Sequence, residues 1–277
     1  MRASIQAPVQ PNLQRLDATS VMSFDDVSVK FKTLKSGEVA ALGGLTLSVR
    51  SREILALVGP SGCGKSTALR LLSGLIKPTS GTVRVDSALG RRGFEDVALV
   101  FQRPTLLPWL TVLQNVLYPV RILGRRISAA HRERAMALLA TVGLAEMATH
   151  MPDELSGGMQ QRAAICRSLI LDPKILLMDE PFGALDALTR EELQLDLLRL
   201  HEATPKTILL VTHSISEAVL VADRVAVMTP RPGRLHDLVD VPIGRPRRPE
   251  VQAEAAFVQC AQRIRTGIFG HDRKGRE

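Results

Sequence analysis

The segment ILALVGPSGCGKSTALRLL, residues 54–72, decides the fold of this chain. Its first five residues are apolar, as in a buried strand, and its last six favour a helix. Between them, GPSGCGKST at 59–67 has the spacing GxxxxGK[ST] of a phosphate-binding loop. In such a loop the backbone N–H groups and the N-terminus of the following helix hold phosphate groups. The segment therefore predicts a strand, a loop and a helix that bind a nucleoside triphosphate.

The loop residues divide the work of binding in a predictable way. Lys65 would reach the β- and γ-phosphates, and the Ser66 hydroxyl would ligate Mg²⁺. A glycine-rich turn with a chance lysine is the alternative, and the strand before it and the helix after it disfavour that alternative. The residues predicted to bind nucleotide here are Gly59, Pro60, Ser61, Gly62, Cys63, Gly64, Lys65, Ser66 and Thr67.

Length and composition fit a nucleotide-binding enzyme with a substantial hydrophobic core. It has 277 residues, of which 45% are hydrophobic, and a net charge of +8. Half of that surplus lies in residues 245–277, with eight Lys/Arg against four Asp/Glu, which predicts a solvated basic tail or a tail near an anionic membrane surface. We expect no nucleic-acid partner. The longest uncharged candidate span, 104–120, contains three prolines and is shorter than the roughly 20 apolar residues that cross a membrane.

Cysteine usage indicates a reducing compartment, because Cys63, Cys166 and Cys260 form no CxxC pair. Cys63 lies inside the phosphate loop, at the foot of the predicted helix. A thiol there tends to have a lowered pKa, so oxidation could block nucleotide binding. The alternative is a small residue tolerated in a tight loop.

The pattern of apolar residues predicts two kinds of strand. Segments 27–31 and 45–49 alternate apolar and polar residues, and with 82–85 they predict a small antiparallel β-layer, with turns at 43–44 and 78–81. Four other segments are continuously apolar, which predicts a mostly parallel sheet covered on both faces. They are 97–101, 175–178, 207–211 and 225–228. Helical patterns alternate with them, so the fold class is α/β.

A helical subdomain is predicted at about 103–172, where the strand signal disappears. Two helices are expected at 130–141 and 159–171, and another begins at Thr111, which forms a capping box with Gln114. Trp109, the only tryptophan, precedes that start. It is either a core residue or an exposed anchor for a partner.

Two carboxylates, Asp179 and Glu180, follow the predicted strand at 175–178. They lie at the carboxyl edge of the sheet, where ligands of α/β folds bind. Asp179 would hold the Mg²⁺ that Ser66 touches, and Glu180 would orient or deprotonate the water that attacks the γ-phosphate.

A second glycine-led helix start lies in LSGGMQQR, residues 155–162. Its backbone N–H groups favour an anionic ligand, although an N-cap followed by a flexible turn fits the local sequence equally well. The candidate residues for contact with such an anion are Ser156, Gly157, Gly158 and Gln160.

Together these features resemble the ATP-binding-cassette (ABC) family of ATPases, over about residues 21–240. The string LSGGMQQR, the acidic pair, Gln102 after an apolar strand and His213 after another carry the resemblance. It implies a P-loop NTPase core with a mostly parallel sheet, an N-terminal antiparallel β-layer and an inserted helical subdomain. It also implies a head-to-tail dimer with ATP between the phosphate loop of one subunit and Ser156, Gly157 and Gly158 of the other.

The resemblance implies further roles. Gln102 contacts Mg²⁺ and the attacking water, and His213 contacts the γ-phosphate. Asp186 is the carboxylate of a loop between the two sites, although it could simply cap a helix at 187–200, just as Ser214 and Glu217 could form a capping box after His213. An aromatic ring stacks on adenine; Phe31 is the nearest match and Phe24 its rival. Cys166 and Ser168 replace the family's usual alanines, which puts the packing of that helix in doubt.

Within the family, segments 101–112 and 228–234 are similar to the nitrate, sulfonate and taurine importer group, whose relatives also import pyrimidine, thiamine-precursor or riboflavin-like compounds. This similarity implies an ATPase dimer, either a homodimer or a heterodimer with a similar cassette. It would work with transmembrane permease subunits, and indirectly with a solute-binding protein, at the cytoplasmic face of the inner membrane. The alternative is a soluble ABC ATPase acting on nucleic acid or ribosomes. We expect an extension at 1–20, the ATPase domain at 21–240 and a basic tail at 241–277.

Overall fold

The computed structural model describes residues 20–33, 37–86 and 96–270, and within them it forms two β-sheets and seven α-helices. Nearly all of the predicted N-terminal extension lies outside the described residues. The strands are β1 Ser20–Thr33, β2 Gly37–Arg50, β3 Ile54–Val58, β4 Ser80–Val85, β5 Val97–Val100, β6 Ile175–Asp179, β7 Thr207–Val211, β8 Arg224–Met228 and β9 Leu235–Asp240. The helices are α1 Lys65–Leu72, α2 Val112–Ile122, α3 Ala129–Thr141, α4 Gly157–Leu169, α5 Ala187–Ala203, α6 Ile215–Val221 and α7 Ala255–Phe269.

The smaller sheet has the strand order β2-β1-β4 and is antiparallel, which confirms the predicted β-layer. The predicted turn at Gly43 and Gly44 is wrong, because both residues lie inside β2. The pairing register shifts there, from Val27 opposite Leu45 to Ser28 opposite Gly43. The two glycines therefore mark a β-bulge, which bends the strand without ending it.

The larger sheet has the order β5-β6-β7-β3-β8-β9, and all of its pairings are parallel except β8 with β9. The predicted parallel strands are confirmed. Strand β9 was not predicted, because its sequence LHDLVD alternates poorly and it is half exposed at the sheet edge. The larger sheet also separates two apolar clusters. One contains residues of the antiparallel sheet and α1, and the other contains residues of α2 to α7.

Helices α2, α3 and α4 lie between β5 and β6 in the chain and pack on one another, as the predicted helical subdomain requires. The Thr111 capping box is confirmed: Gln114 N donates to Thr111 Oγ1 at 3.3 Å, and Thr111 N donates to Gln114 Oε1 at 3.0 Å. Cys166 is fully buried, and its thiol donates to the Leu138 carbonyl at 3.5 Å. The departure at this position is therefore accommodated within the helical packing.

Some residues of the basic tail pack into the fold, so the prediction of a solvated end is wrong for that part of the tail. Arg247 is only 4% exposed. Its guanidinium donates hydrogen bonds to the carbonyl oxygens of Val219, Leu220, Ala222 and Ile243. Burial lowers the pKa of Arg247 to about 10. The cause of this burial is local, because the last carbonyls of α6 have no partner within the helix and need donors from elsewhere. Beyond Arg247, α7 packs on α6, β8 and β9. Among the described residues, no helix is both long and apolar enough to cross a membrane.

Candidate nucleotide-binding site

The phosphate loop connects β3 to α1 as predicted. Gly64 precedes the helix with φ 100°, a left-handed conformation that favours glycine, and no side chain caps the first turn. The N–H groups of that turn therefore remain available to an anion. Lys65 is buried, and its ammonium donates to the carbonyls of Gly59 at 2.8 Å and Pro60 at 3.0 Å. The adjoining cavity of about 230 Å³ is lined by Ser61, Gly62, Gly64, Lys65, Ser66, Thr67, Glu180 and Arg231.

Two oxygen ligands suited to Mg²⁺ meet at this loop. The Ser66 hydroxyl donates to Asp179 Oδ1 at 3.0 Å, at the carboxyl end of β6. Burial raises the pKa of Asp179, while the bond from Ser66 opposes that rise. No group of three His, Cys, Asp or Glu side chains that could hold a metal occurs in the described ranges. These residues therefore fit a magnesium ion that the protein and a bound phosphate chain hold jointly, as is usual for Mg²⁺.

Glu180 adopts a strained backbone conformation beside the cavity. Its φ is +47°, a region that non-glycine residues rarely occupy and that often marks functional positions. Glu180 N donates to the Val211 carbonyl at 2.9 Å, which links the end of β6 to β7. Its Oε2 lies 3.1 Å from Nδ1 of His213, an exposed residue that follows β7. The fold thus brings the predicted carboxylate and histidine into direct contact.

Gln102 follows β5 and reaches the same place. A Cβ atom added at Gly183 would lie 3.2 Å from Gln102 Nε2 and 3.6 Å from Glu180 Oε2. The amide of Gln102 and the carboxylate of Glu180 therefore converge on one small residue.

The glycine-led start of α4 does not line this cavity within one chain. Ser156 caps α4 by accepting a hydrogen bond from Met159 N at 3.3 Å, and Ser156 and Gly157 are exposed. Gly158 is buried, and a Cβ there would overlap Cγ2 of Thr189 on α5. Gln160 donates to the carbonyls of Pro152 at 2.9 Å and Leu155 at 3.2 Å. Ser156 and Gly157 are thus the members of this group that face outward.

The chain matches the ABC transporter family over residues 42–183, about half of its length. The taurine import ATP-binding protein TauB of Burkholderia pseudomallei is 48% identical over 209 residues, covering 76% of this chain and 80% of that protein. The nitrate import ATP-binding protein NrtD of Synechococcus elongatus is 41% identical, covering 85% and 86%. The chain belongs to the ABC transporter family. The aliphatic sulfonates import ATP-binding protein SsuB 1 of Agrobacterium fabrum, 40% identical, extends the similarity to 97% of this cassette and 91% of its own length.

A solved structure supports the fold of the cassette. The dimeric bacterial ABC transporter cassette MJ0796 superposes with a TM-score of 0.69 and is 34% identical, covering 80% of this chain and all of that chain. The expected ABC ATPase fold is thereby confirmed. A second structure of MJ0796, with a TM-score of 0.68, is a post-hydrolysis state with ADP and Pi. The cassette described here is accordingly an ATP-binding ATPase.

A partly exposed ion pair, between Arg190 of α5 and the buried Glu217 of α6, connects the loop before α5 to the loop of His213 in this cassette. Asp186 caps α5 by accepting from Thr189 N at 3.1 Å, as predicted for a helix start. Arg190 donates to the Leu185 carbonyl at 2.8 Å, and its Nε lies 3.7 Å from Glu217 Oε1. Glu217 in turn accepts from Thr212 Oγ1 at 2.5 Å.

Only half of the predicted capping box after His213 therefore exists. Ser214 Oγ accepts from Glu217 N at 3.3 Å, but the Glu217 side chain points inward to Thr212. Burial raises the pKa of Glu217. No local pattern predicts the contact of Arg190 with Glu217, because the two residues lie 27 positions apart on different helices.

The lowered thiol pKa that a helix start tends to produce does not occur at Cys63. Cys63 is fully buried, and burial raises the pKa of its thiol more than nearby Lys65 lowers it. The helix terminus is therefore outweighed by desolvation, and the alternative of a small residue in a tight loop fits the structure.

The exposure of the aromatic side chains decides which of them could contact adenine or a partner. Phe24 is fully buried in the core and cannot stack on a ligand, whereas Phe31 is 39% exposed. Trp109 is 68% exposed, so it is not a core residue. Phe31 and Trp109 thus remain available to a ligand or a partner.

Proposed function

We propose that this cassette is the ATP-hydrolysing subunit of an importer for small oxyanions of the nitrate, sulfonate and taurine type. The observation that carries the proposal is the convergence of Ser66–Asp179 and Glu180–His213 at one phosphate loop. Similarity to taurine, nitrate and sulfonate import subunits supports the class of solute. The same similarity does not favour a soluble ATPase acting on nucleic acid or ribosomes.

The cavity residues have separable roles in this proposal. Lys65 and the first turn of α1 bind the phosphates, and Ser66 with Asp179 holds Mg²⁺, which would neutralise charge on the β- and γ-phosphates. Glu180 orients or deprotonates the attacking water, and Gln102 positions the same water. His213, already in contact with Glu180, positions that carboxylate and would contact the γ-phosphate. Phe31 stacks on the adenine.

The working form is a head-to-tail dimer, because the exposed end of α4 lies outside the cavity of its own chain. Ser156, Gly157 and Gly158, with Gln160 fixing the loop before them, would complete the site of the partner subunit. Asp186 would lie between the two sites. Trp109 on the helical subdomain offers an exposed aromatic anchor for a permease segment, which would place the cassette at the cytoplasmic membrane face.

The hydrolytic assignment is tested with Glu180→Gln. The variant is expected to lose about 100-fold or more of the hydrolysis rate, because the amide cannot accept a proton, while ATP binding persists. Isothermal titration with ATP and a phosphate-release assay measure the two properties. Glu202→Gln, an exposed glutamate on α5, is the matched control and should behave as wild type. Normal hydrolysis by Glu180→Gln would refute the role of Glu180.

The transport assignment is tested separately. Deleting the gene should abolish growth on taurine, an alkanesulfonate or nitrate as the sole sulfur or nitrogen source. The purified complex with its permease should hydrolyse ATP faster when the binding protein carries its solute. Stimulation by DNA or ribosomes instead would contradict an importer.

A further inference from the structure

The loop at residues 229–234, which joins β8 to β9, is a rigid element beside the phosphate loop. Thr229 N donates to the Arg234 carbonyl at 2.9 Å, and Arg234 N donates to Thr229 Oγ1 at 3.0 Å. Gly233 is bonded to β2 from both sides, with its N–H donating to the Ala41 carbonyl at 2.9 Å and its carbonyl accepting from Gly43 N at 3.0 Å. Four hydrogen bonds therefore fix the position of this short segment.

The same loop packs directly against the phosphate loop. A Cβ added at Gly233 would overlap the carbonyl oxygen of Cys63, and a Cβ added at Gly59 would lie 3.0 Å from Cβ of Met228. The backbone at 229–234 therefore packs against the phosphate loop, and a side chain in the middle of this segment can reach the cavity.

Arg231 lies in the middle of the segment 229–234. It is exposed and lines the cavity together with Ser61, Gly62 and Lys65. No ion pair of Arg231 with another described residue occurs. A guanidinium has five donors in a planar fork that matches phosphate oxygens, so an unpaired arginine at a phosphate cavity is suited to bind the ligand.

We propose that Arg231 binds the phosphate chain of the nucleotide held by the phosphate loop. The rigid loop supplies the position, and the guanidinium supplies a second cation at the cavity that Lys65 lines. Because Arg231 lines the cavity of its own chain, it would act before the partner subunit completes the site. The inference rests on the ATP-binding function of the cassette and adds a residue to it.

The test compares Arg231→Gln with Arg234→Gln by isothermal titration of the purified full chain with Mg-ATP and with Mg-ADP. Arg231→Gln should raise both dissociation constants about tenfold, the usual worth of one hydrogen bond to a charged group. Arg234 is the matched control, since it is exposed on the same loop and does not line the cavity. Its variant should bind as wild type.

Equal dissociation constants for Arg231→Gln and the control would overturn the proposal. So would unchanged binding combined with weaker ATP-driven dimerisation, because Arg231 would then contact the partner subunit. Thermal unfolding without nucleotide should be the same in both variants, which excludes a folding defect. A wild-type chain that bound no ATP would instead refute the ATPase function, so the two failures are distinguishable.

Discussion

The N-termini of α1 and α4 are both glycine-led, yet they are prepared for an anion in different ways. At α1, no side chain caps the first turn, and a lysine, a serine and a carboxylate surround it. At α4, the Ser156 side chain already caps the helix. The cations that line the phosphate cavity, Lys65 and Arg231, do not belong to this helix end. In the head-to-tail dimer proposed above, the first end would hold the phosphate chain, and the second would complete the site of the partner subunit. One subunit would then carry two unlike halves of a nucleotide site.

The hydrolysis rate should change most when each helix end is inactivated in a separate variant and the two variants are then mixed. Lys65→Ala removes the phosphate-binding cation, and Gly157→Glu places a negative charge where the partner's phosphates would lie. The Gly157 change should not harm the fold, because a Cβ there approaches only Leu185, at 4.0 Å, and a carboxylate suits a helix N-terminus. Each variant alone should lose nearly all hydrolysis.

Mixed in equal amounts, the two inactive variants should recover hydrolysis, up to about a quarter of the wild-type rate if subunits pair at random in a head-to-tail dimer. In a mixed dimer, one site has both of its halves intact and the other carries both defects. A phosphate-release assay on the mixture measures the recovery. Its complete absence, when cross-linking shows that mixed dimers form, would contradict a site shared between subunits.

A smaller effect distinguishes the two glycines at the start of α4. Gly158→Ala should lower the free energy of unfolding by about 1–3 kcal/mol, because the added methyl group overlaps Thr189. Gly157→Ala has room and should leave stability nearly unchanged. Urea unfolding measures both. The second change Thr189→Ser removes the overlapping methyl group and should restore most of the loss; failure of that rescue would mean that the overlap is not the cause.

The smallest effect concerns the carboxylate at the α1 end. Burial raises the pKa of Asp179 above its unfolded value of 3.8. Its contribution to stability is thus fully present below pH 3.8 and is lost as the pH rises through the raised folded value. Asp179→Asn should therefore raise the melting temperature of the nucleotide-free chain near pH 7 and lose this advantage towards pH 3. A melting advantage that does not change with pH would contradict this origin.

Local sequence predicted the chemistry of the α1 end well. The spacing at 59–67 and the acidic end of β6 are short-range patterns, and both are typical of sites that bind phosphate and Mg²⁺. It predicted the α4 helix but not the reason for its second glycine. The closeness of Gly158 to Thr189 depends on how two distant helices cross. The same limit applies to Arg190 and Arg231, whose roles arise from contacts between separate elements. The roles of His213 and Gln102 could not be predicted from the local sequence and came from the resemblance to the family.

The buried guanidinium of Arg247 has a practical consequence for anyone preparing this protein. A version shortened to end at Asp240, the last residue of β9, would remove the donors from the terminal turn of α6 and expose the side of β9 that α7 covers. Such a version should aggregate or melt at a lower temperature, although every residue of the nucleotide cavity would be intact. An affinity tag therefore belongs beyond Phe269 or ahead of Ser20, because Arg247 and α7 support the C-terminal end of α6 and the edge of the larger sheet.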